Sequence, residues 1–372
     1  MEILNEFMRA AQDPVSYARE SKQKKKKKVI GYCCTYTPEE IIYAAGAIPV
    51  RLFGIKSGIA KADAHLQAYS CSLVRGIMED ALLGNLDFLD GMVFPHTCDS
   101  IQRLSDIWRL NITSTWHNDI MLPVKLDMQS SREYMEDALA KFRKELGAWI
   151  GSEISDDALR QSIVVYNRLR SLLKRLYAIK SANPKAIKGR ELYAVVKGSM
   201  VMDRKDAADL IEKLVAGLES VAPSSQAKDK RLVVSGGICD HPEIYDLIEK
   251  SGATVVWDDL CTGSRFFEGL ISEIGEPIKA IAARYSTRVI CPAKHSSLTG
   301  RGDNLVNIAK EHKANGVIFI LLKFCDPHAF DYPFMKKMLD DVGIPSMLFE
   351  VEQDLPSAGQ LATRFEAFIE ML

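Results

Sequence analysis

Two stretches decide how this chain is read: Gly91-Met-Val-Phe-Pro-His-Thr-Cys-Asp99 and Val317-Ile-Phe-Ile-Leu-Leu-Lys-Phe-Cys-Asp326. Each is an apolar run of strand length that stops and is followed, three positions later, by a Cys-Asp pair. Short unbroken apolar runs fit strands buried on both faces, as in a parallel sheet. Ligands bind at the carboxyl ends of strands in open α/β sheets, so Cys98 and Cys325 are expected at a functional edge. Cys71, in Ala68-Tyr-Ser-Cys-Ser-Leu-Val-Arg-Gly76, opens a helical run. Three thiols carried to one place from distant parts of the chain would make a metal-cluster site assembled by folding.

Working outward, strand and helix signals alternate on both sides of a purely helical stretch. Val29–Tyr32 reads as a strand, and Thr37-Pro38-Glu39-Glu40 as a helix start with Thr37 as N-cap and Glu40 closing a capping box. Strands follow at Ile48–Leu52 and Gly91–Pro95. From Ser130 to Val221 apolar residues recur at three- and four-residue spacing, the mark of amphipathic helices. Pro223-Ser-Ser-Gln-Ala-Lys-Asp-Lys reads as a polar linker. Beyond it, strands are expected at Arg231–Ser235, Thr254–Trp257, Val289–Cys291, Val317–Leu322 and Ser346–Val351, with helices between. The expected fold is α/β: two doubly wound parallel-sheet domains, a helical segment between them and the cluster in the interdomain cleft. The divisions are 1–28 (N-terminal helix and basic segment), 29–129, 130–222 and 223–372.

Of the 372 residues 47% are hydrophobic and 26% charged, with net charge −1, which excludes disorder and argues against nucleic acid or an anionic membrane as partner. The one basic run, Lys22 and Lys24–Lys28, is expected to be a solvated segment. No apolar stretch approaches the ~18 residues needed to span a bilayer, and the first residues form an amphipathic helix rather than a secretory leader. The reading is cytoplasmic. There, eight cysteines are packing residues, reactive thiols or metal ligands rather than a disulfide framework.

GxxxxGK[ST] is absent, so ATP hydrolysis through a P-loop is not expected, and there is no GxGxxG after the first strand. Ser235-Gly-Gly-Ile-Cys-Asp240 reads as a tight strand–helix turn before it reads as a phosphate cradle. Single cysteines are ordinarily small core residues. The shared Cys-Asp context of Cys98 and Cys325 leaves packing and ligation open at those positions. Cys34, Cys261 and Cys291 occupy turn-like contexts and are further candidate ligands, whereas Cys33 and Cys239 look like packing residues. In a continuing strand Cys33 and Cys34 face opposite ways, so at most one reaches the site. His96 and His328, flanking Cys98 and Cys325, and Arg265 in Cys261-Thr-Gly-Ser-Arg265 are candidate substrate-binding residues.

The blocks YTPEEIIYAAGAIPVRL (36–52), FPHTCDS (94–100), DDLCTGSR (258–265), KFCDPHAFDYP (323–333) and GQLATRFEAFIEML (359–372), with the Cys71 helix, resemble the 2-hydroxyacyl-CoA dehydratase and benzoyl-CoA reductase family. The resemblance spans nearly the whole chain. It implies a [4Fe–4S] cluster held by Cys71, Cys98 and Cys325, and a homologous second subunit. It also implies a separate ATP-hydrolysing iron–sulfur activator that injects low-potential electrons, and an acyl-CoA substrate. The implied reaction is (R)-2-hydroxyacyl-CoA dehydration: one electron added to the thioester carbonyl gives a ketyl radical, which expels hydroxide and acidifies the 3-proton. Benzoyl-CoA reduction is the alternative. Cys34, Cys261 and Cys291 also resemble the additional thiols of double-cubane reductases, although LGNLDFLDG (83–91) lacks a cysteine those proteins carry there. An electron-transfer iron–sulfur protein without a substrate pocket is the non-enzymatic alternative.

Overall fold

The computed structural model describes residues 2–55, 58–220, 229–288, 291–352 and 355–372. Helices α1 (Glu2–Gln12) and α2 (Pro14–Lys25) lead into the first α/β unit. That unit comprises β1 (Val29–Tyr32), α3 (Glu39–Ala44), β2 (Ile48–Arg51), α4 (Ser72–Leu82), β3 (Gly91–Pro95), α5 (Asp99–Asn111) and β4 (Trp116–Ile120). The helical segment follows: α6 (Gln129–Ile150), α7 (Asp156–Ala182), α8 (Gly189–Ser199) and α9 (Arg204–Glu219). The second unit begins with β5 (Lys230–Gly236), α10 (Pro242–Lys250), β6 (Ala253–Asp259), α11 (Ser264–Phe267), α12 (Pro277–Thr287) and α13 (Gly300–Glu311). It ends with β7 (Gly316–Leu322), α14 (Asp326–Asp341), β8 (Ser346–Val351) and α15 (Ala358–Glu370).

Both sheets are wholly parallel and share one plan. The strand orders are β2-β1-β3-β4 and β6-β5-β7-β8, so the chain reverses direction across the sheet between β1 and β3, and again between β5 and β7. Helices cover both faces, and β1, β2 and β3 are buried at every residue, which is why these strands read as unbroken apolar runs. A crevice opens at each reversal, beyond the carboxyl ends of the two central strands. The loops after β1, β3, β5 and β7 carry Cys33-Cys34, Cys98, Cys239 and Cys325.

The helical segment locks onto the first unit through buried charge. Arg204, fully buried, donates to Glu39 Oε2 at 2.5 and 3.0 Å and to the carbonyls of Pro49 and Met202. Arg170 pairs with buried Glu40. These contacts overturn the expected capping box. The N-cap of α3 is Pro38, without a side-chain bond, and the buried Thr37 hydroxyl has no partner. Glu39 and Glu40 are turned inward because the arginines of α7 and α9 offer stronger partners than a backbone N–H. The basic run is solvated at Lys24 and Lys26–Lys28, as expected, but parts of it also dock on the fold. Lys22 reaches Asp90 at 2.9 Å, Lys25 pairs with Asp203 and Asp206, and Lys28 lies over the Trp149 ring. Of the strand expected at Val289–Cys291, residues 289 and 290 lie outside the described residues, and Cys291 has no regular secondary structure. Residues 223–228 of the expected linker also lie outside them.

Candidate functional site

Cys71, Cys98 and Cys325 occupy the same local position: each is the N-cap residue of a helix, α4, α5 and α14 respectively. A helix N-terminus presents unpaired N–H groups and a positive field, which favours a thiolate there. The backbone N–H groups of Leu73 and Val74 stabilise the Cys71 thiolate, that of Ile101 acts on Cys98, and that of His328 acts on Cys325. Burial dominates nonetheless and pushes all three thiols up. Before Cys325 the chain makes a sharp turn, with Phe324 in the left-handed region at φ 63°. A bulky residue there is strained, and only a well-fixed surrounding sustains it.

The thiols form one electrostatic set. Cys98 is further raised by Cys71, Cys34 and Cys325; Cys325 by Cys71, Cys291 and Cys261. Burial, Cys261 and Cys34 push Cys291 up to about 11 against the pull of Arg265. Cys33 and Cys239 are fully buried core residues, as expected of packing positions, while Cys34 accepts from Tyr36 N–H at 3.5 Å and from Thr97 Oγ1 at 3.4 Å. All eight thiols are free. Among the described residues no three Cys, His, Asp or Glu side chains close on one point as they would around a single metal ion.

Buried cations face this set. Arg265, 3% exposed, donates through Nη2 to the carbonyls of Gly236 and Asp259. Its Nε lies 3.2 Å from Asp259 Oδ1, yet the N–H is not aimed at that oxygen, so Nε and Nη1 are both left without a hydrogen bond. His328 Nδ1 sits 3.3 Å from Cys325 Sγ, and its buried Nε2 has no partner. Burial, with Arg265 and Arg301 nearby, holds the His328 imidazole neutral, well below the usual histidine range. The ring lies against Gly237, where a Cβ would come within 3.3 Å of it. The Gly236-Gly237 turn therefore makes room for the histidine rather than for a phosphate. His96 is not part of this set: its Nε2 lies 2.8 Å from Asp119 at the β4 edge, within a Ser105–His117–Asp119 network.

Lys294, which has little to mark it in the sequence, also belongs here. It is 2% exposed and donates to the Leu122 carbonyl. Burial pulls its pKa down, while Cys34, Cys291 and Cys98 pull it up. The only local signal is its place three residues after Cys291.

The loop carrying Cys261 and Arg265 is folded around a buried carboxyl. Asp258 accepts from the Ser264 N–H at 2.7 Å, the Leu260 N–H at 3.2 Å and the Tyr177 hydroxyl at 2.5 Å. A Cβ on Gly263 would collide with that carboxylate, so the turn requires glycine. Burial outweighs these donors and pushes Asp258 from 3.8 up to about 6. The folded state then binds this proton more tightly than the unfolded chain, so the associated stability is lost as pH rises from about 4 to about 6. Asp258→Asn is expected to flatten that slope and raise stability near pH 8 by about 2 kcal/mol. Urea unfolding at about pH 5 and pH 8 measures it, and parallel pH profiles for the two proteins would contradict it.

A doubly wound sheet pair with thiols gathered at the strand ends defines a class of α/β proteins with a crevice-borne cysteine site. The family model for "2-hydroxyglutaryl-CoA dehydratase, D-component" matches residues 34–372, and the chain belongs to this family of enzyme components. The (R)-phenyllactyl-CoA dehydratase beta subunit of Clostridium sporogenes is 29% identical over 370 residues, covering 100% of this chain and 98% of the relative. The lactoyl-CoA dehydratase beta subunit of Anaerotignum propionicum is 27% identical over 372 residues, with 100% and 98% coverage. A benzoyl-CoA reductase subunit of Thauera aromatica is 29% identical over 335 residues, covering 88% of this chain and 86% of the relative. Among the described residues no helix is long and apolar enough to cross a membrane.

Proposed function

We propose that this chain is the beta-type [4Fe–4S] subunit of a 2-hydroxyacyl-CoA dehydratase, with Cys71, Cys98 and Cys325 as cluster ligands. The observation that carries the reading is the shared N-cap position of these three cysteines, together with the electrostatic influence of their thiols on one another. The donor chemistry fits: thiolates suit iron–sulfur clusters, and a cubane presents its irons at separate corners, so its ligands need not meet at a point. Three thiolates carry three negative charges, and buried Arg265 and Lys294 stand ready to offset them. The partnerless N–H groups of Arg265 are what a site built for a further anionic or carbonyl-bearing group would leave open.

When bound, the cluster supplies an electron at low potential. The protein's part is to aim helix N–H groups at the three sulfurs, offsetting part of the burial that favours their protonated form, to set His328 Nδ1 beside the Cys325 sulfur, and to exclude water behind the two sheets. Arg265 is placed to hold the substrate carbonyl or carry charge toward it. In this reading the electron comes from a separate ATP-hydrolysing activator, and the cytoplasmic enzyme is completed by a second, homologous subunit. Dehydration through a substrate ketyl is favoured over aromatic reduction because the dehydratase relatives align over the whole chain, and the benzoyl-CoA reductase relative over less of it.

Anaerobic purification with its partner, followed by iron and sulfide counting, tests the reading. About four of each per chain is expected, with activator-dependent turnover of (R)-2-hydroxyacyl-CoA but not of benzoyl-CoA. About eight iron per chain would instead assign Cys34, Cys261 and Cys291 to a second cubane. No iron would sink the cluster reading.

A further inference from the structure

The thiol set is split between two α/β units, and buried side chains tie the halves together: Arg51 of β2 donates through Nη1 to the Cys261 carbonyl at 2.9 Å, the Tyr285 hydroxyl of α12 donates to the Thr37 carbonyl at 2.8 Å, and Arg288 bonds a carbonyl on each half with one side chain. Arg288, 6% exposed, follows α12 immediately. Its Nη2 donates to the Thr35 carbonyl at 3.0 Å and to Thr35 Oγ1 at 3.3 Å, on the loop after β1 that carries Cys34. Its Nη1 donates to the Arg265 carbonyl at 3.0 Å, on the loop after β6 that carries Cys261. The guanidinium carbon lies 4.3 Å from the centre of the Tyr36 ring, a cation–π contact that helps fix it between the two loops. Three residues further along the chain is Cys291. A single planar group thus touches two of the thiol-bearing loops and stands beside a third.

We infer that Arg288 is a positioning residue that fixes the gap between the two halves of the thiol site, one Nη on each half. The role needs a fork. Lysine offers a single ammonium on a flexible stem and spans only one of the two carbonyls without losing the other. The neighbouring Arg284 works differently: its three bonds, to the carbonyls of Phe266, Glu268 and Gly269, all fall on one loop. Arg284 therefore shapes the α11 turn, and Arg288 alone of the pair bridges the crevice. The Arg265 carbonyl that Arg288 holds belongs to the residue whose own guanidinium faces the thiols, so slack at Arg288 is felt first at Arg265 and, four residues back, at Cys261, whose carbonyl Arg51 still holds.

The inference rests on the reading of these thiols as the working site, but its experiment does not depend on iron. Arg288→Lys and Arg288→Met are compared with wild type by time-resolved iodoacetamide labelling of the metal-stripped full chain, read cysteine by cysteine by mass spectrometry. Losing a charge-assisted bond across the crevice is expected to speed labelling of Cys34 and Cys261 about tenfold in both variants. Cys33 and Cys239, in the two cores, should keep the wild-type rate. In anaerobically prepared holoprotein the same variants should shift the EPR signal of the reduced centre, which a residue serving only global stability would not do.

Arg288→Lys retains charge and bulk, so the experiment survives if the methionine variant does not fold. Labelling of Cys34 and Cys261 within about twofold of wild type in folded Arg288→Lys would overturn the inference. Uniform acceleration at all four cysteines would overturn it too, because it would mark general loosening. Absence of iron in the wild type would sink the cluster reading while leaving the labelling result to decide the role of Arg288.

Discussion

Cys325→Ala, prepared without oxygen, is expected to hold less than one iron per chain against the about four expected of the wild type under the proposed cluster, and to lose activator-dependent turnover entirely. The size of the effect follows from the position. Cys325 is the one thiol the β7 loop sends into the crevice, and no other cysteine of the second sheet sits at a helix N-cap. Truncating the side chain should cost the fold little. Cys325 makes no side-chain cap bond, so loss of the N-cap is worth at most about 1 kcal/mol. Thermal unfolding followed by circular dichroism should therefore move by only a few degrees, while iron is lost outright. Cys239→Ala is the control. Cys239 follows β5 but is fully buried in the second core, and its alanine variant should be less stable yet keep its iron. Iron retained in Cys325→Ala, or lost equally in Cys239→Ala, would break the assignment of the triad.

The second large effect concerns the fold rather than the site. Arg204→Met is expected to destabilise the protein by about 3–5 kcal/mol, because it strands Glu39 as an uncompensated buried charge. Glu39 has Tyr166 as its remaining donor, at 3.2 Å, which cannot replace a guanidinium. Removing both charges should cost far less: Glu39→Met combined with Arg204→Met should recover most of the loss, since buried pairs are often replaceable by packed apolar groups. The surface pair Arg168–Asp209 provides the scale, and breaking it should cost less than about 1 kcal/mol. Urea midpoints of the four proteins decide the matter. A double variant as unstable as Arg204→Met would show that the packing of the side chains, not their charge, is what matters here.

The sequence was most legible where one physical requirement dominated. Strands β1, β3 and β7 are buried on both faces, and their apolar runs announce it. Strand β4 went unseen because it lies at the sheet edge, and Trp116-His-Asn-Asp-Ile120 is correspondingly polar and half-exposed. Thr37 and Glu40 depart from their local pattern for a different reason. The capping-box pattern is local, and it is outcompeted by arginines that pair with Glu40 and Glu39 from 130 and 165 residues away. At the site, the Cys-Asp pairs drew attention to Cys98 and Cys325; Cys33 is a core residue and Cys34 is half-buried, but β1 ends at Tyr32, so strand alternation does not reach this pair. His96 sits as close in sequence to Cys98 as His328 does to Cys325, yet only His328 reaches a thiol. The difference lies in what each ring meets: Asp119 draws His96 to the sheet edge, and Gly237 leaves a space over which His328 can lie. Arg288 and Lys294 carry almost no local signal, because their roles exist only once the two sheets face each other.

The division of the thiols between two similarly wound sheets also sets an order of manufacture. A growing chain that has emerged through residue 222 carries Cys71 and Cys98 on a sheet with all four of its strands, yet Cys325 has not been made. The last strand to flank it, β8, and the closing helix α15 come later still. A centre requiring all three thiols is therefore a terminal event of biosynthesis, and no truncated product can load it. Under the proposed cluster, metal content would report on the second sheet: a preparation whose iron matches its protein would be one in which that sheet has closed.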